Sequence, residues 1–292
     1  MRVIVLGIAV LGLASTAALA QKSIDERHAV DGSVDLEIEN RSGDVTVRGW
    51  DQNEVEITGT LGKNVERLEV VSEDGDFRIR VVVPQGRRSR VGPTELNVRV
   101  PEGGDVNVRA VSADIEVREI DGELELRTVS GDITVRDAQD DAELETVSGD
   151  IEVKGNVASL EAKTVSGDII ASEVTDSAEL ETVSGGIHVE GENLSNLECK
   201  LVSGNIHFTG SLRESAEVEL ECHSGNIVIT LPANTSAEFD CETFSGGIRN
   251  AFGVDAKKKS KHGPGRILRY EQGGGDADIE MKTFSGNITI RN

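Results

Sequence analysis

Apolar and polar positions alternate in short runs along the second half of this chain, and the runs recur. With the serine of each repeated Ser-Gly as marker, Ser130, Ser148, Ser166 and Ser184 follow one another at 18-residue intervals. Six and four residues before each stand apolar pairs: Leu124 and Leu126, Ala142 and Leu144, Leu160 and Ala162, Ala178 and Leu180. Three and five residues after come Ile133 and Val135, Ile151 and Val153, Ile187 and Val189. A period of two predicts β-strands with one buried face, so each unit holds two strands joined at the Ser-Gly. The glycine admits the positive φ that a tight bend demands.

Degenerate copies centred on Ser112, Ser203, Ser224, Ser245 and Ser285 extend the array, and an isolated early copy is Ser42-Gly43-Asp44-Val45. An antiparallel meander of so many strands would leave one apolar face bare, with no helical pattern to cover it. A solenoid, in which each unit is a coil and equivalent strands stack in parallel, encloses its own core at about four aliphatic side chains per coil, each contributing ~1.5–3 kcal/mol before entropy. The expected fold is therefore all-β, a β-solenoid with two strands per 18–21-residue coil, and right-handed by the crossover rule for parallel strands. At ~4.8 Å per coil, nine coils make a rod of about 45 Å.

Residues 111–292 carry the regular units, with a basic insertion within 250–275. Residues 21–110 alternate less regularly, at Val34 to Ile38, Val45 to Val47, Glu54 to Gly59, Val65 to Val71, Phe77 to Val83 and Glu95 to Val100, and read as irregular coils or a cap. Arg87-Arg88-Ser89-Arg90 reads as a solvated turn. The insertion, Lys257 to Arg266 followed by the strand-like Ile267 to Glu271, reads as a mobile loop, with docking on an acidic surface as the alternative.

Charge sharpens this picture. The chain of 292 residues has 53 acidic and 30 basic side chains, a net charge of -23, which disfavours nucleic acid as a partner. Five residues before each serine the position is always acidic from Glu125 to Glu280; stacked in register, neighbouring carboxylates would repel by about 1 kcal/mol per pair in water. The column two residues further on, which includes Arg127, Lys163, Lys200 and Lys282, returns positive charge. Residues 1–20 read as a secretory signal peptide, with Arg2, the apolar run Val3 to Leu13 and the small-x-small Ala18-Leu19-Ala20; no later stretch is long enough for a membrane-spanning helix. The expected location is periplasmic or extracellular. Cys199, Cys222 and Cys241 are odd in number, lack metal-knuckle spacing and fall on apolar ladder positions, so they read as buried thiols, with one disulfide the alternative.

The recurrent T-x-S-G-[DNG]-I unit, the leader, the Glu39 to Asp51 stretch and the closing Thr283 to Ile290 together resemble the bacterial DUF4097 family of β-strand-repeat proteins, labelled adhesins. The resemblance covers most of the chain beyond the leader. It implies a β-solenoid-like fold outside the cytoplasm and an adhesive or envelope-associated role, and it supplies no catalytic residues. The Ser112-Ala113 copy and the basic insertion depart from the pattern.

Candidate chemistry is sparse. The recurrent serines lie in V-S-G-D rather than in a nucleophile elbow, and no histidine accompanies them through the array at a fixed offset to serve as base, so they read as turn residues. Asp44, Asp114, Asp132, Asp150 and Asp168 could bind calcium as a ladder, but the GGxGxD nonapeptide is absent and tight turns favour Asp and Asn in any case. His188 and His207 share an offset in successive units and, with Glu190, form a weak metal-site motif; two exposed histidines is the preferred reading. No catalytic, cofactor-binding or metal residue is assigned. The expected function is a non-enzymatic structural or adhesion-type protein binding an envelope or extracellular macromolecule, with edge-to-edge self-association possible at uncovered strands. The alternatives are a polysaccharide-active β-helix, which a chain with 3% aromatics equips poorly, and an accessory of envelope-stress signalling.

Overall fold

The computed structural model describes residues 22–73, 75–84, 91–260 and 263–292, and among these the regular elements are all strands. The leader at 1–20, the arginine turn at 87–90, and Lys261 and His262 of the insertion lie outside the described residues.

Equivalent strands stack in parallel at the repeat interval. Leu144 pairs with Leu126 on one side and with Ala162 on the other, and Ile151 lies between Ile133 and Ile169. Two parallel ladders result, one before and one after the Ser-Gly bends. Long strands such as Asp35–Trp50, Val106–Arg118, Ile187–Ser203 and Ile206–Ser224 each run through both ladders. The apolar residues at the alternating positions face inward and are essentially inaccessible, Leu126, Leu144, Ile133, Ile151 and Val153 among them. Each return segment adds a buried apolar residue, as Ala138, Val157, Val174 and Leu194 do in successive coils. Closure of the core by the chain itself is what the burial arithmetic favoured over the meander.

The order of coils in space differs from their order in the chain at both ends. The serines pair in the sequence 42, 112, 130, 148, 166, 184, 203, 224, 285, 245. The early Ser42 copy is therefore a member of the stack. Beyond it lie Asp76–Val82 and Thr94–Pro101, still parallel, and then antiparallel strands: Arg67–Glu73 on the first, Glu54–Leu61 and finally Lys22–Ala29 on the second. At the far end the coil at Ala277–Ser285 and Ile288–Arg291 slots between the Ser224 and Ser245 coils.

The strand expected at Ile267 to Glu271 is present as Arg266–Gln272, antiparallel on Ala237–Ser245. The basic stretch before it departs from the loop reading at Lys257–Lys258, which pair antiparallel with this strand, and at Lys259, which contacts Glu242 on the chain's own surface. Tyr270 stacks on Phe239 with ring centroids 4.8 Å apart, and Arg269 pairs with Asp240 at 3.0 Å. The outermost strands are rich in charge, which hinders pairing with further strands.

Candidate functional site: an apolar groove along the Ser-Gly edge

Before each bend the strand alternates in a fixed sense. Positions six, four and two before the serine point inward; positions five, three and one before it point outward. The outward residue next to the serine is nevertheless apolar in coil after coil. In spatial order it is Val111, Val129, Val147, Val165, Val183 and Val202, followed by His223, Phe284 and Phe244. The valines are 45–51% exposed and the two phenylalanines 50%. At one end the rings form a stack: His223 on Phe284 at 5.0 Å and Phe284 on Phe244 at 4.7 Å, nearly coplanar in both pairs. Eight steps of ~4.8 Å make this stripe about 38 Å long.

The position two before the serine makes the floor. Thr128, Thr146, Thr164, Thr182, Thr283 and Thr243 are buried, and each hydroxyl donates to a carbonyl of the preceding coil in space, as Thr146 does to Gly131 O at 3.1 Å. Leu201 and Cys222 take this place in two coils. The wall opposite the stripe is the charged column three before the serine. Stripe, floor and wall enclose an open groove of about 930 Å³.

In spatial order that wall reads Arg109, Arg127, Glu145, Lys163, Glu181, Lys200, Glu221, Lys282, Glu242, with the sign changing at every coil from Arg127 onward. Each cation also serves the acidic column beside it. Arg127 contacts Glu125 and Glu143 and reaches Glu145 at 3.0 Å; Lys163 contacts Glu161 at 2.5 Å and Glu179 at 3.4 Å. Lys200 contacts Glu198, and Lys282 meets Glu280 at 2.5 Å and Glu221 at 3.6 Å. The hydrogen bond that Lys163 Nζ donates to Glu161 is the main cause of the upward shift of the Lys163 ammonium pKa. Glu219 shows the cost of the crowding: burial first, then Glu221, Glu198 and Glu280, hold its carboxyl above the ordinary range, against the pull of Lys200. Single exposed pairs contribute ~0–1 kcal/mol each, so the network neutralises the acidic ladder rather than bracing the fold.

The residues singled out for chemistry have other work. In the aspartate column one carboxylate oxygen accepts the backbone amide of the next coil: Asp150 N to Asp132 Oδ1 at 2.8 Å, Asp168 N to Asp150 Oδ1 at 2.8 Å. Asn205, Asn226 and Asn287 do the same where Asp is absent, so the bond needs only a side-chain oxygen. At the N-terminal end burial, then Asp114 and Glu95, raise the Asp44 carboxyl pKa. His188 and His207 do lie side by side, ring centroids 5.9 Å apart, with Glu190 at 3.4 Å from His188. Burial, then His188 and Arg291, lower the His207 pKa. Among the described residues no group of three or more His, Cys, Asp or Glu is arranged to hold a metal ion. Cys199, Cys222 and Cys241 are unpaired and buried. Burial pushes the Cys199 thiol up and that of Cys241 to about 12.

The stripe escaped the sequence reading, although its signal was in plain view: the valine of every Thr-Val-Ser-Gly has the same parity as the charged columns. An apolar residue held on the outward parity through so many units is a surface feature, not part of the core.

These features define an all-β repeat protein whose most prominent surface feature is a long, partly apolar groove. The chain belongs to the DUF4097 family, described as Toastrack, whose profile matches residues 19–177 and 156–291. Among solved structures it is similar to a candidate lipid-binding protein of Parabacteroides distasonis, at 13% identity and TM-score 0.49 over 92% of this chain and 97% of that one. A candidate adhesin of the same organism matches at 14% identity and TM-score 0.41, over 92% and 97%. A candidate cell adhesion protein of Clostridium sporogenes matches at 13% and 0.27, over 92% and 99%. No curated protein matches the chain.

Proposed function

We propose that this chain is an exported, non-enzymatic, adhesion-type protein of the bacterial envelope: a right-handed β-solenoid that holds a macromolecular partner in the groove along its Ser-Gly edge. The observation that carries the reading is the outward valine and phenylalanine stripe. A soluble repeat protein gains nothing in its own core from half-exposed apolar side chains in register over about 38 Å, and contiguous apolar patches of this extent mark interaction sites. The wall of alternating charge gives such a surface register without making it indiscriminately sticky. The aspartates and threonines beside it are engaged in hydrogen bonds between coils and the cysteines are buried, which leaves binding rather than bond-breaking as the work of this edge.

Replacing Val147 and Val165 together by Asp tests this, because both are about half exposed and their side chains support no core contact. In cells expressing the full chain, the native protein should fractionate with the envelope and the V147D/V165D variant with the soluble exported fraction, at equal far-UV circular dichroism. Envelope retention of the folded variant would overturn the groove as the binding surface. Turnover of any glycan by the purified protein would overturn the non-enzymatic reading.

A further inference from the structure

We propose that the occupant of the groove is the same groove of a second copy, laid antiparallel about a two-fold axis that passes between the Ser184 and Ser203 coils. The inference rests on the reading of the groove as a binding surface and names its partner.

The charged wall carries the argument. Eight of its nine members, from Arg127 to Glu242, alternate strictly and begin and end on opposite signs, and Arg109 overhangs beyond them at one end. Such a row is complementary to its own reverse. With the axis at the middle, Glu181 faces Lys200 of the second copy, Lys163 faces Glu221, Glu145 faces Lys282 and Arg127 faces Glu242. Every facing pair is of opposite sign. The end pair is the weakest, because Glu242 already holds Lys259. A slip of one coil sets like charges opposite at every pair except, in one direction, Arg109 against Glu242. A two-fold axis along the rod, which would give a parallel pair, forces zero slip and reverses the groove from side to side, so the wall meets either its own copy, like against like, or the apolar stripe. An isologous contact must be complementary to itself, and the antiparallel register meets that requirement.

The stripe fits the same register. Val183 faces Val202, while Val165, Val147 and Val129 face His223, Phe284 and Phe244. Small side chains thus oppose large rings on both sides of the central valine pair, the condition for two ridged surfaces to close without voids. Alternative occupants fit worse. A uniformly acidic partner is repelled by a chain of net charge -23, and a uniformly basic one meets a cation at every second coil of the wall. A strip about 38 Å long and ~12 Å wide buries on the order of 900 Å² over both copies, near the lower limit for a specific interface, so the pairing should be reversible.

Cross-linking of the purified chain tests both partner and orientation. The three native thiols are buried, so an introduced surface cysteine is the one that reacts under mild oxidation. A mixture of Val129→Cys and Phe244→Cys proteins should give a disulfide-linked dimer, as should Val147→Cys with Phe284→Cys, and neither Val129→Cys nor Val147→Cys alone should. Val129→Cys alone linking to itself would show a parallel pair and overturn the proposal. The native chain should show concentration-dependent dimerisation by sedimentation, lost in V147D/V165D. A chain that stays monomeric and fails to cross-link at either pair, while V147D/V165D still leaves the envelope, overturns self-pairing and assigns the groove to a different macromolecule. Cross-links at both pairs with V147D/V165D retained on the envelope leave self-pairing standing and remove the envelope role of the groove.

Discussion

Gly204 offers a direct test of how the coils are held in register. It sits at the bend with φ 148°, and a Cβ built on it would lie 1.8 Å from the carbonyl oxygen of Gly185 in the neighbouring coil and 2.7 Å from that carbonyl carbon. Both are backbone atoms, so no side chain can swing aside. An alanine here must move one coil against the next by more than an ångström. That shift disturbs at least Gly185 N to Ser203 O at 3.1 Å and Ile187 N to Asn205 O at 2.9 Å, the bonds between the same two coils. Two weakened hydrogen bonds at ~0.5–1.5 kcal/mol each, added to ~1–3 kcal/mol for a non-glycine residue in this backbone region, make a cost of about 2–6 kcal/mol. Gly32 provides the control: its φ is 101° and nothing lies within 4 Å of its added Cβ, so Gly32→Ala carries the backbone cost without the clash. Guanidinium unfolding followed by far-UV circular dichroism should show Gly204→Ala less stable than Gly32→Ala by about 1–3 kcal/mol, the hydrogen-bond part of that cost. Equal losses would refute the claim that close coil-to-coil approach, rather than φ alone, requires glycine at these bends.

Three further outcomes follow from the ladders. Asp132→Ala removes the acceptor for Asp150 N and should lower stability by about 1 kcal/mol, whereas Asp132→Asn keeps the oxygen and should change it by less than about 0.5 kcal/mol; equal losses in denaturant melts would refute the capping role. Cys199 and Cys241, with thiol pKa values raised by burial, should fail to react with a thiol reagent at pH 8 in the folded chain and react at once in guanidinium, read by mass spectrometry. Lys282→Glu removes the contacts to Glu280 and Glu221 and leaves an unbroken acidic run, so it should lower the unfolding free energy by about 1–2 kcal/mol at low ionic strength and by less in salt; a loss indifferent to salt would refute the neutralising role of the column.

The regular stack was legible in the sequence because its signal is redundant: four inward columns, a marker serine and a fixed interval all give the same register, and Leu144 sits between Leu126 and Ala162 as that register requires. Coil order was not legible. Every unit offers the same two edges to its neighbours, so pattern alone cannot say that the Ser285 coil lies between those of Ser224 and Ser245. Lys22–Ala29 was missed because it is an edge strand with Ile24 as its one buried residue, and alternation shows only where a face is covered. At Ala113 the departure from Ser-Gly has a simple counterpart: Val106–Arg118 runs through the corner as one strand, and Ala113 does not share the positive φ of Gly131 and its successors. The groove was hidden for a different reason. Val129 and Leu126 are alike in hydrophobicity, and parity distinguishes them only once the inward columns are known.

Coil order and charge belong to one design. In chain order the wall residues of the last three coils read Glu221, Glu242, Lys282; in space they read Glu221, Lys282, Glu242. Stacking in chain order would set Glu219 and Glu221 directly against Asp240 and Glu242, four carboxylates at ~4.8 Å spacing with no cation between them. Interleaving the Ser285 coil places Lys282 in the gap, where it reaches Glu280 and Glu221. The price in topology is that the chain must run out to the end of the stack and return, and the long gap between Ser245 and Ser285 supplies the residues for that return. Its strand Arg266–Gln272 closes the end of the ladder, and its Arg269 and Lys259 neutralise Asp240 and Glu242. The other end follows the same logic, since the chain leaves the Ser42 coil, builds the strands beyond it and comes back to lay the Ser112 coil on its inner side. A stack of repeats opens most readily from its ends, where each unit has one neighbour instead of two. Setting a coil from each end of the array one place inward means that opening it requires removal of a cap built from a distant part of the chain, so the ends of the rod are tied by long-range contacts while its middle relies on local repetition.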